Sequence, residues 1–179
     1  MPEIEIRSAT ATDIPGLVQI EHTSLTTHVW QMERLQEEGT LQTIFREVRL
    51  PRPVRLVYPR PISKLADNWQ VMSIVLIAVY QSNCIGYLTV SDKNLPNCGW
   101  IYDLVVTESM RRKGIASALV LAGQDWASRN GLKRVVMEMQ SKNFPAIRLA
   151  QKLGYEFCGY NDHYYANQDL GLFFGKFLK

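Results

Sequence analysis

The sequence predicts an α/β (α+β) fold built around a β-α-β unit. Three features predict it: two β-rich runs joined by a short turn between Met72 and Val90, a nearly continuous apolar strand at Trp100–Val106 that leads through an amphipathic helix to another strand, and a capped helix at Asn143 that leads into two further strands. With 179 residues, 46% of them hydrophobic and 21% charged, the chain is long enough for one well-buried core and short for two, so one domain over residues 1–179 is expected.

Taken in order, Ile4–Arg7 alternates as a short strand, and Thr12-Asp13 offers an N-cap ahead of Ile14, Leu17 and Val18 at helical spacing. Residues from about Val29 to Glu38 read as a second short helix ending at Gly39. Thr40–Leu50 and Val54–Tyr58 then read as two strands around Pro51-Arg52-Pro53. Met72–Tyr80 and Cys84–Val90 form a hairpin across the turn Gln81-Ser82-Asn83, and a polar loop with Pro96 and Asn97 follows. The apolar run Trp100–Val106 implies burial on both faces at the sheet centre, which makes Asp103 within it conspicuous. After Gly114, residues Ile115, Ala118, Leu119, Ala122 and Trp126 share one helix face, and Asn130-Gly131 ends the helix. Lys133–Gln140 is the next strand, parallel to the previous one by the right-handed crossover rule. Asn143 caps a helix with Pro145 in its first turn and Gly154 at its end, and strands at Tyr155–Tyr160 and Asp169–Phe177 complete the chain.

Composition excludes several classes. No apolar run approaches the roughly 20 residues that span a bilayer. The start, Met1-Pro-Glu-Ile-Glu-Ile, lacks the basic flank and apolar stretch of a secretory signal, so a cytoplasmic location is the expectation. Cys84, Cys98 and Cys158 are odd in number and far apart, as small core residues would be. His22, His28 and His163 show no metal-ligand spacing, so neither disulfides nor a metal site are expected. A net charge of +3 is too small for a nucleic-acid binder. Arg46, Arg49, Arg52, Arg55, Arg60 and Lys64 face only Glu47 in their segment, either as solvated edge strands or as a rim for an acidic acceptor.

The turn Arg111-Arg112-Lys113-Gly114-Ile115-Ala116 joins a strand end to a helix start, where unsatisfied backbone N–H groups attract phosphate. Gly114 permits close approach to the backbone, Ala116 keeps the first helical turn clear, and the three cations add charge. There is no G-x-x-x-x-G-K-[ST] and no G-x-G-x-x-G after a strand, so a nucleoside triphosphate or dinucleotide is not indicated.

Ile101-Tyr-Asp-Leu-Val-Val-Thr-Glu-Ser-Met-Arg-Arg-Lys-Gly-Ile-Ala-Ser-Ala-Leu resembles motif A of the GNAT superfamily of N-acetyltransferases, with its [Q/R]-x-x-G-x-[G/A] signature. Asn143-Phe-Pro-Ala-Ile-Arg-Leu-Ala-Gln-Lys-Leu-Gly-Tyr-Glu-Phe resembles that superfamily's N-x-x-A-x-x-L-Y-x-x-x-G-F segment, in the expected order. The resemblance implies a strongly twisted mixed central sheet of about seven strands, flanked by about four helices and splayed beside motif A. It implies acetyl-CoA as cosubstrate, with the pantetheine pairing to backbone at Leu104, Val105 and Val106. The pyrophosphate would lie on the turn, on backbone N–H groups of Arg112, Lys113, Gly114, Ile115 and Ala116 with Arg111 beside them, and Asn143 would touch the cofactor arm or serve only as an N-cap.

Transfer to an amine by direct attack requires a neutral nucleophile, a polarised carbonyl and a proton for the leaving thiolate. A backbone N–H at Val105 or Val106 is the candidate for polarising the carbonyl. The superfamily's usual tyrosine acid falls on Ala150, so Tyr102, Tyr155, Tyr160, Tyr164 and Tyr165 are the substitutes to weigh. Asp103 is the best general-base candidate, either as a desolvated carboxylate of raised pKa or as a structural hydrogen-bond acceptor. Tyr102 and Asp103 face opposite sides of a regular strand, and both reach the cleft only across a bulge. The acceptor implied is a primary amine of a small molecule or peptide. The competing readings are a non-catalytic acyl-CoA-binding or sensing module and an unrelated α/β binding domain. Dimerisation is common in the superfamily, and Leu170–Leu178 is apolar enough to pair across a homodimer interface and equally to finish the core.

Overall fold

The computed structural model describes residues 3–179; Met1 and Pro2, the first two residues of the segment read for a secretory signal, lie outside the described residues. Strands β1 (Glu5–Ser8), β4 (Ile74–Tyr80), β5 (Asn83–Leu95), β6 (Cys98–Val106), β7 (Arg134–Gln140), β8 (Glu156–Asn161) and β9 (Gly171–Phe177) form one sheet in the order β1-β4-β5-β6-β7-β9-β8. A separate antiparallel pair joins β2 (Ser24–Glu37) to β3 (Thr40–Leu56). The α-helices are α1 (Ile14–Val18), α2 (Ser63–Asn68), α3 (Ile115–Arg129) and α4 (Phe144–Lys152). The mixed seven-stranded sheet with four helices matches the expectation, and β9 lies inside it between β7 and β8, so the terminal apolar run finishes the core.

Among the described residues only β6 and β7 run parallel, joined by α3, and their pairing stops early. Cys98–Ile101 lie opposite Arg134–Met137, four pairs in all. Beyond them β6 stays paired to β5 as far as Val106, and β7 stays paired to β9 as far as Gln140. The sheet is therefore two halves hinged on four residue pairs, open between the C-terminal parts of β6 and β7. One face of the sheet is closed by α3 and α4 through Leu88, Ile101, Ile115, Leu119, Val135 and Ile147; the other holds a smaller core of Leu17, Leu65, Ile77, Tyr87 and Val105 under α1 and α2.

Residues 29–38 are not helical. They belong to β2, and Gly39 (φ 73°) sits in a two-residue hairpin turn with Glu38. A glycine of positive φ serves a hairpin as well as a helix end, and the few apolar residues there do not set a period. Thr40–Leu56 is one strand, not two: Thr26 pairs with Val54 and His28 with Arg49, so Pro51 and Pro53, which have no N–H to donate, are carried in a bulge. Rings hold the hairpin on the sheet: Trp30 lies 5.7 Å from Phe174 and Phe45 5.1 Å from Phe157. The Pro96-Asn97 segment is a tight hairpin turn, with Asn97 at φ 56°. Asp13 precedes α1 but caps nothing; its carboxylate accepts two 2.8 Å bonds from Arg7 and one from the Thr10 N–H. Cys98 is buried as expected of a core residue, whereas Cys158 is exposed.

The buried stripe of α3 runs through Ile115, Leu119, Val120, Gly123 and Ala127, with Ala118, Ala122 and Trp126 at its margin. Leu119 is wholly buried while Leu121 is 51% exposed. Leu119→Ala therefore should cost about 2–5 kcal/mol in urea unfolding, and Leu121→Ala no more than about 0.5 kcal/mol; equal losses would contradict this packing.

Candidate active site

The turn into α3 has the geometry of an anion cradle. Arg112 (φ 64°) and Gly114 (φ 86°) are both left-handed, and such a turn aims successive N–H groups to one side. Among the described residues, the N–H groups from Arg112 to Ser117 make no hydrogen bond, and the next, of Ala118, donates to the Gly114 carbonyl. No side chain caps this helix. Arg111 is spent on structure: its Nε donates to the Val106 carbonyl (2.8 Å) and its Nη2 to the Glu21 carbonyl (3.0 Å). Arg112 and Lys113 are exposed, Lys113 with its Nζ over the Met110 sulfur; Ile115 is buried in the core, and Ala116 is half-buried beside it.

From this turn the gap between β6 and β7 leads inward. The Thr107 N–H donates to the Ile85 carbonyl, so alternation turns the peptides of Val105 and Thr107 toward β5 and those of Leu104 and Val106 into the gap. The Val105 peptide is thus spent in the ladder. The Val106 carbonyl holds Arg111, and the Val106 N–H is the one of the two candidates that faces the opening. Asn143 caps α4, its Oδ1 accepting from the Ala146 N–H at 3.2 Å, which realises the N-cap role and leaves its Nδ2.

At the inner end of the gap β6 carries a bulge, the condition under which Tyr102 and Asp103 both reach the cleft. Val90 pairs with Ile101 and Thr89 with Asp103, leaving Tyr102 as the extra residue of β6. Tyr102 and Asp103 consequently reach the same side, where both meet Arg60. Asp103 is surrounded by donors: the Tyr58 hydroxyl donates to Oδ1, the Thr89 hydroxyl to Oδ2 (2.7 Å), and Arg60 Nη1 lies 3.6 Å from Oδ1. Opposite it on β7 stands Glu138, whose side chain is 0% exposed. Glu138 accepts from Trp100 Nε1 and from the Tyr164 hydroxyl (2.9 Å) and forms an ion pair with Arg60 Nη2. The guanidinium also donates to the Tyr102 carbonyl (3.0 Å), and its carbon lies 5.5 Å and 5.3 Å from the Tyr102 and Tyr165 ring centres. Burial works against the Arg60 charge, but Asp103 and the surrounding phenols outweigh it and hold its pKa above the usual arginine value. Burial, with the Asp103 charge second, pushes the Tyr58 phenol well up, so it stays a donor.

Behind Tyr58, the His22 ring lies 4.9 Å away, edge-on. Its Nδ1 donates to the Ile20 carbonyl, which leaves Nε2 to accept from the Tyr87 hydroxyl at 2.8 Å. Burial lowers the His22 pKa and keeps this neutral arrangement. A groove of about 770 Å³ runs between the β2–β3 hairpin and the end of β7, lined among others by Trp30, Leu50, Gln140 and Asp169, and reaches Leu56 and Val57 beside the segment that carries Arg60. Among the described residues, no group of three or more His, Cys, Asp or Glu side chains is disposed to hold a metal ion, and no helix is long and apolar enough to cross a membrane.

The model of the acetyltransferase (GNAT) family matches residues 34–155. The chain belongs to the acetyltransferase (GNAT) family. The matched region of this GNAT chain takes in β6, the Arg111–Ala116 turn, β7 and α4. Streptothricin acetyltransferase of Streptomyces lavendulae is 25% identical over 166 residues, 90% of this chain and 86% of that protein. Two uncharacterized N-acetyltransferases of Bacillus subtilis (strain 168), YobR and YhfO, are 30% and 32% identical over 67 and 88 residues, or 37% and 47% of this chain; these matches span only 26% and 59% of those proteins. Among solved structures, a nourseothricin acetyltransferase superposes with TM-score 0.82 at 18% identity, over 98% of this chain and 99% of that one. A Bacillus anthracis str. Ames protein in complex with acetyl coenzyme A gives TM-score 0.77 at 17% identity, over 98% and 100%. At such identities the likeness is one of fold.

The five tyrosines weighed as acids separate in space. Tyr102, Tyr164 and Tyr165 ring the inner end of the gap, whereas Tyr160 bonds Thr43 under the hairpin and Tyr155 is buried with its hydroxyl on Gln124 Nε2 (2.9 Å). Burial raises the Tyr155 pKa to about 12. Its raised value stabilises the fold fully below the unfolded tyrosine value near 10, and that contribution disappears as pH rises toward 12. Tyr155→Phe should flatten the loss of stability between pH 9 and pH 11 in urea titrations, and a slope as steep as that of the unaltered protein would contradict it.

Proposed function

We propose that this chain is an N-acetyltransferase that moves an acetyl group from acetyl-CoA to a primary amine of a small molecule or peptide by direct attack, with the chain acting as one acyltransferase domain. The observation that carries this reading is the opening between β6 and β7, which has unbonded N–H groups at its mouth and two carboxylates among aromatic rings at its inner end. The free N–H groups at Arg112–Ala116 and the missing Cβ of Gly114 fit a pyrophosphate, and Arg112 adds an exposed charge. Leu104 and the Val106 N–H offer a free strand edge to an extended amide-bearing arm, and the Asn143 Nδ2 at the start of α4 is not used by its cap. A small-molecule acceptor is supported by the names of the streptothricin and nourseothricin acetyltransferases among the relatives.

Bound acetyl-CoA supplies the thioester carbonyl and the departing thiolate. The Val106 N–H is positioned on the open edge to hold a carbonyl oxygen. Asp103, pinned by Thr89 and Tyr58, takes the proton of the acceptor amine. Tyr102 is the acid: Asn94 Nδ2 donates to its hydroxyl oxygen, which leaves the O–H proton to give.

Acetyl-CoA at about a hundred times its Kd should stabilise the protein by about 2.7 kcal/mol in thermal unfolding, and no shift with either acetyl-CoA or CoA overturns the cradle. Arg112→Ala should weaken that binding roughly two- to fivefold, the range of an exposed charge contact, without altering unfolding of the free protein. Asp103→Asn should lower kcat by about 10²-fold; an unchanged kcat removes Asp103 from the mechanism. Ala150, buried at the position where the resembled motif carries a tyrosine, favours a second reading, a non-catalytic acyl-CoA-binding module. Thiol release that depends on added amine decides against it.

A further inference from the structure

The inner end of the opening already holds a cation. Arg60 lies between Asp103 (15% exposed side chain) and Glu138 (0%) with two tyrosine rings about its guanidinium, itself 24% exposed. Carboxylates and aromatic faces together are what recognise an organic cation. The two carboxylates outnumber the one guanidinium, so a negative charge is left over with Arg60 in place. An acceptor carboxylate finds no welcome there. The guanidinium donors are also directed at Tyr102, Asp103 and Glu138, which leaves little with which to grip an anionic substrate.

The segment that brings Arg60 in is lightly held. β3 pairing ends at Leu56 and α2 starts at Ser63. Among the described residues, no backbone N–H from Val57 to Arg60 makes a hydrogen bond, and Pro59 and Pro61 on either side of Arg60 have none to make. Val57 is exposed and adjoins the groove. Side chains therefore do much of the holding: Tyr58 to Asp103, and Arg60 to both carboxylates. Withdrawing Arg60 with nothing in its place would strand two carboxylates in a poorly solvated seat, which is costly; withdrawing it in exchange for another cation replaces one ion pair by another.

We propose that Arg60 is a built-in occupant of the acceptor's seat and sets specificity, yielding to a primary amine that carries a second cationic group, which then lies between Asp103 and Glu138. This rests on the acetyltransferase reading only in that the seat belongs to the acceptor. The resident guanidinium competes with such a ligand, so its removal raises apparent affinity by the fraction of time it fills the seat.

Agmatine, a guanidinium joined to a primary amine, is the probe, with butylamine as the singly charged control. In calorimetry without cofactor, Arg60→Gln should bind agmatine at least tenfold more tightly than the unaltered protein, with a smaller gain for butylamine. Unchanged, weaker or absent agmatine binding overturns the proposal. If Arg60→Gln does not fold, exchange of the Arg60 guanidinium protons in the unaltered protein, followed by NMR, decides: they are held by Tyr102, Asp103 and Glu138, so saturating agmatine should speed their exchange, and slower or unchanged exchange overturns the proposal. Acetyl-CoA-dependent thiol release with agmatine is followed separately. No release alongside tighter binding counts against acetyl transfer and leaves the Arg60 assignment standing. Release without tighter binding or faster exchange overturns Arg60 and leaves acetyl transfer.

Discussion

Everything at the site depends on how little of β6 touches β7. Four parallel residue pairs join the two halves of the sheet, and each half is otherwise satisfied by its own antiparallel partners, β5 on one side and β9 on the other. That division lets a sheet contain an opening without two long, unsatisfied edges, since each strand has lost only one neighbour over part of its length. The remaining free peptide groups, those of Leu104 and the N–H of Val106, are a strand edge of the kind that extended ligands complete. The crossover helix α3 closes the unit, and because it begins beside the mouth of the opening, its uncapped N-terminus lies where the opening meets solvent.

The bulge at Tyr102 works with this division. In a regular strand Tyr102 and Asp103 would point apart, one into the α3 face; with Tyr102 unpaired, both side chains gather at the Arg60 guanidinium. Thr89 holds Asp103 just after the bulge twice over, its hydroxyl donating to Asp103 Oδ2 and accepting from the Asp103 N–H at 3.1 Å. Two carboxylates facing one another across the hinge are tolerable because each is hydrogen-bonded and both share a cation. Glu138 is the more enclosed, and it has three partners: Trp100, Tyr164 and Arg60.

The parts legible in the sequence were those set by local periodicity or by end signals. The helix from Ile115, the strand from Trp100 and the cap at Asn143 each carry such a signal, and each lies where it was expected. The β2–β3 hairpin was not legible because its order comes from the Trp30, Phe45, Phe157 and Phe174 rings, a contact between distant segments that sequence spacing does not record. Glu138 was within reach: an acidic residue in Val-Val-Met-Glu-Met breaks an apolar strand just as Asp103 does. Arg60 and Tyr58 were not, since Tyr-Pro-Arg-Pro reads only as a turn, and nothing local tells which arginine of a basic segment leaves solvent. The remainder of that segment behaves as solvated edge, with Arg46 and Arg55 paired to exposed Glu33 and Glu21.

The alanine at position 150 follows from the same packing. Ala150 and Ile147 are the wholly buried residues of α4, turned into the core that α3 also covers, and the Ala150 carbonyl accepts from both Leu153 and Tyr155 as the helix ends. A phenol there would have to displace core side chains or find a different exit from the helix. Hydroxyls reach the opening from elsewhere: Tyr102 from the bulge, Tyr58 from the segment after β3, and Tyr164 from the turn between β8 and β9. Of these, Tyr58 and Tyr164 already donate to carboxylates, and Tyr102 alone accepts from its partner and keeps its proton. The hydrogen-bond directions thus single out the residue that the bulge exposes, so the irregularity that brings Asp103 to the Arg60 guanidinium also leaves the Tyr102 proton uncommitted.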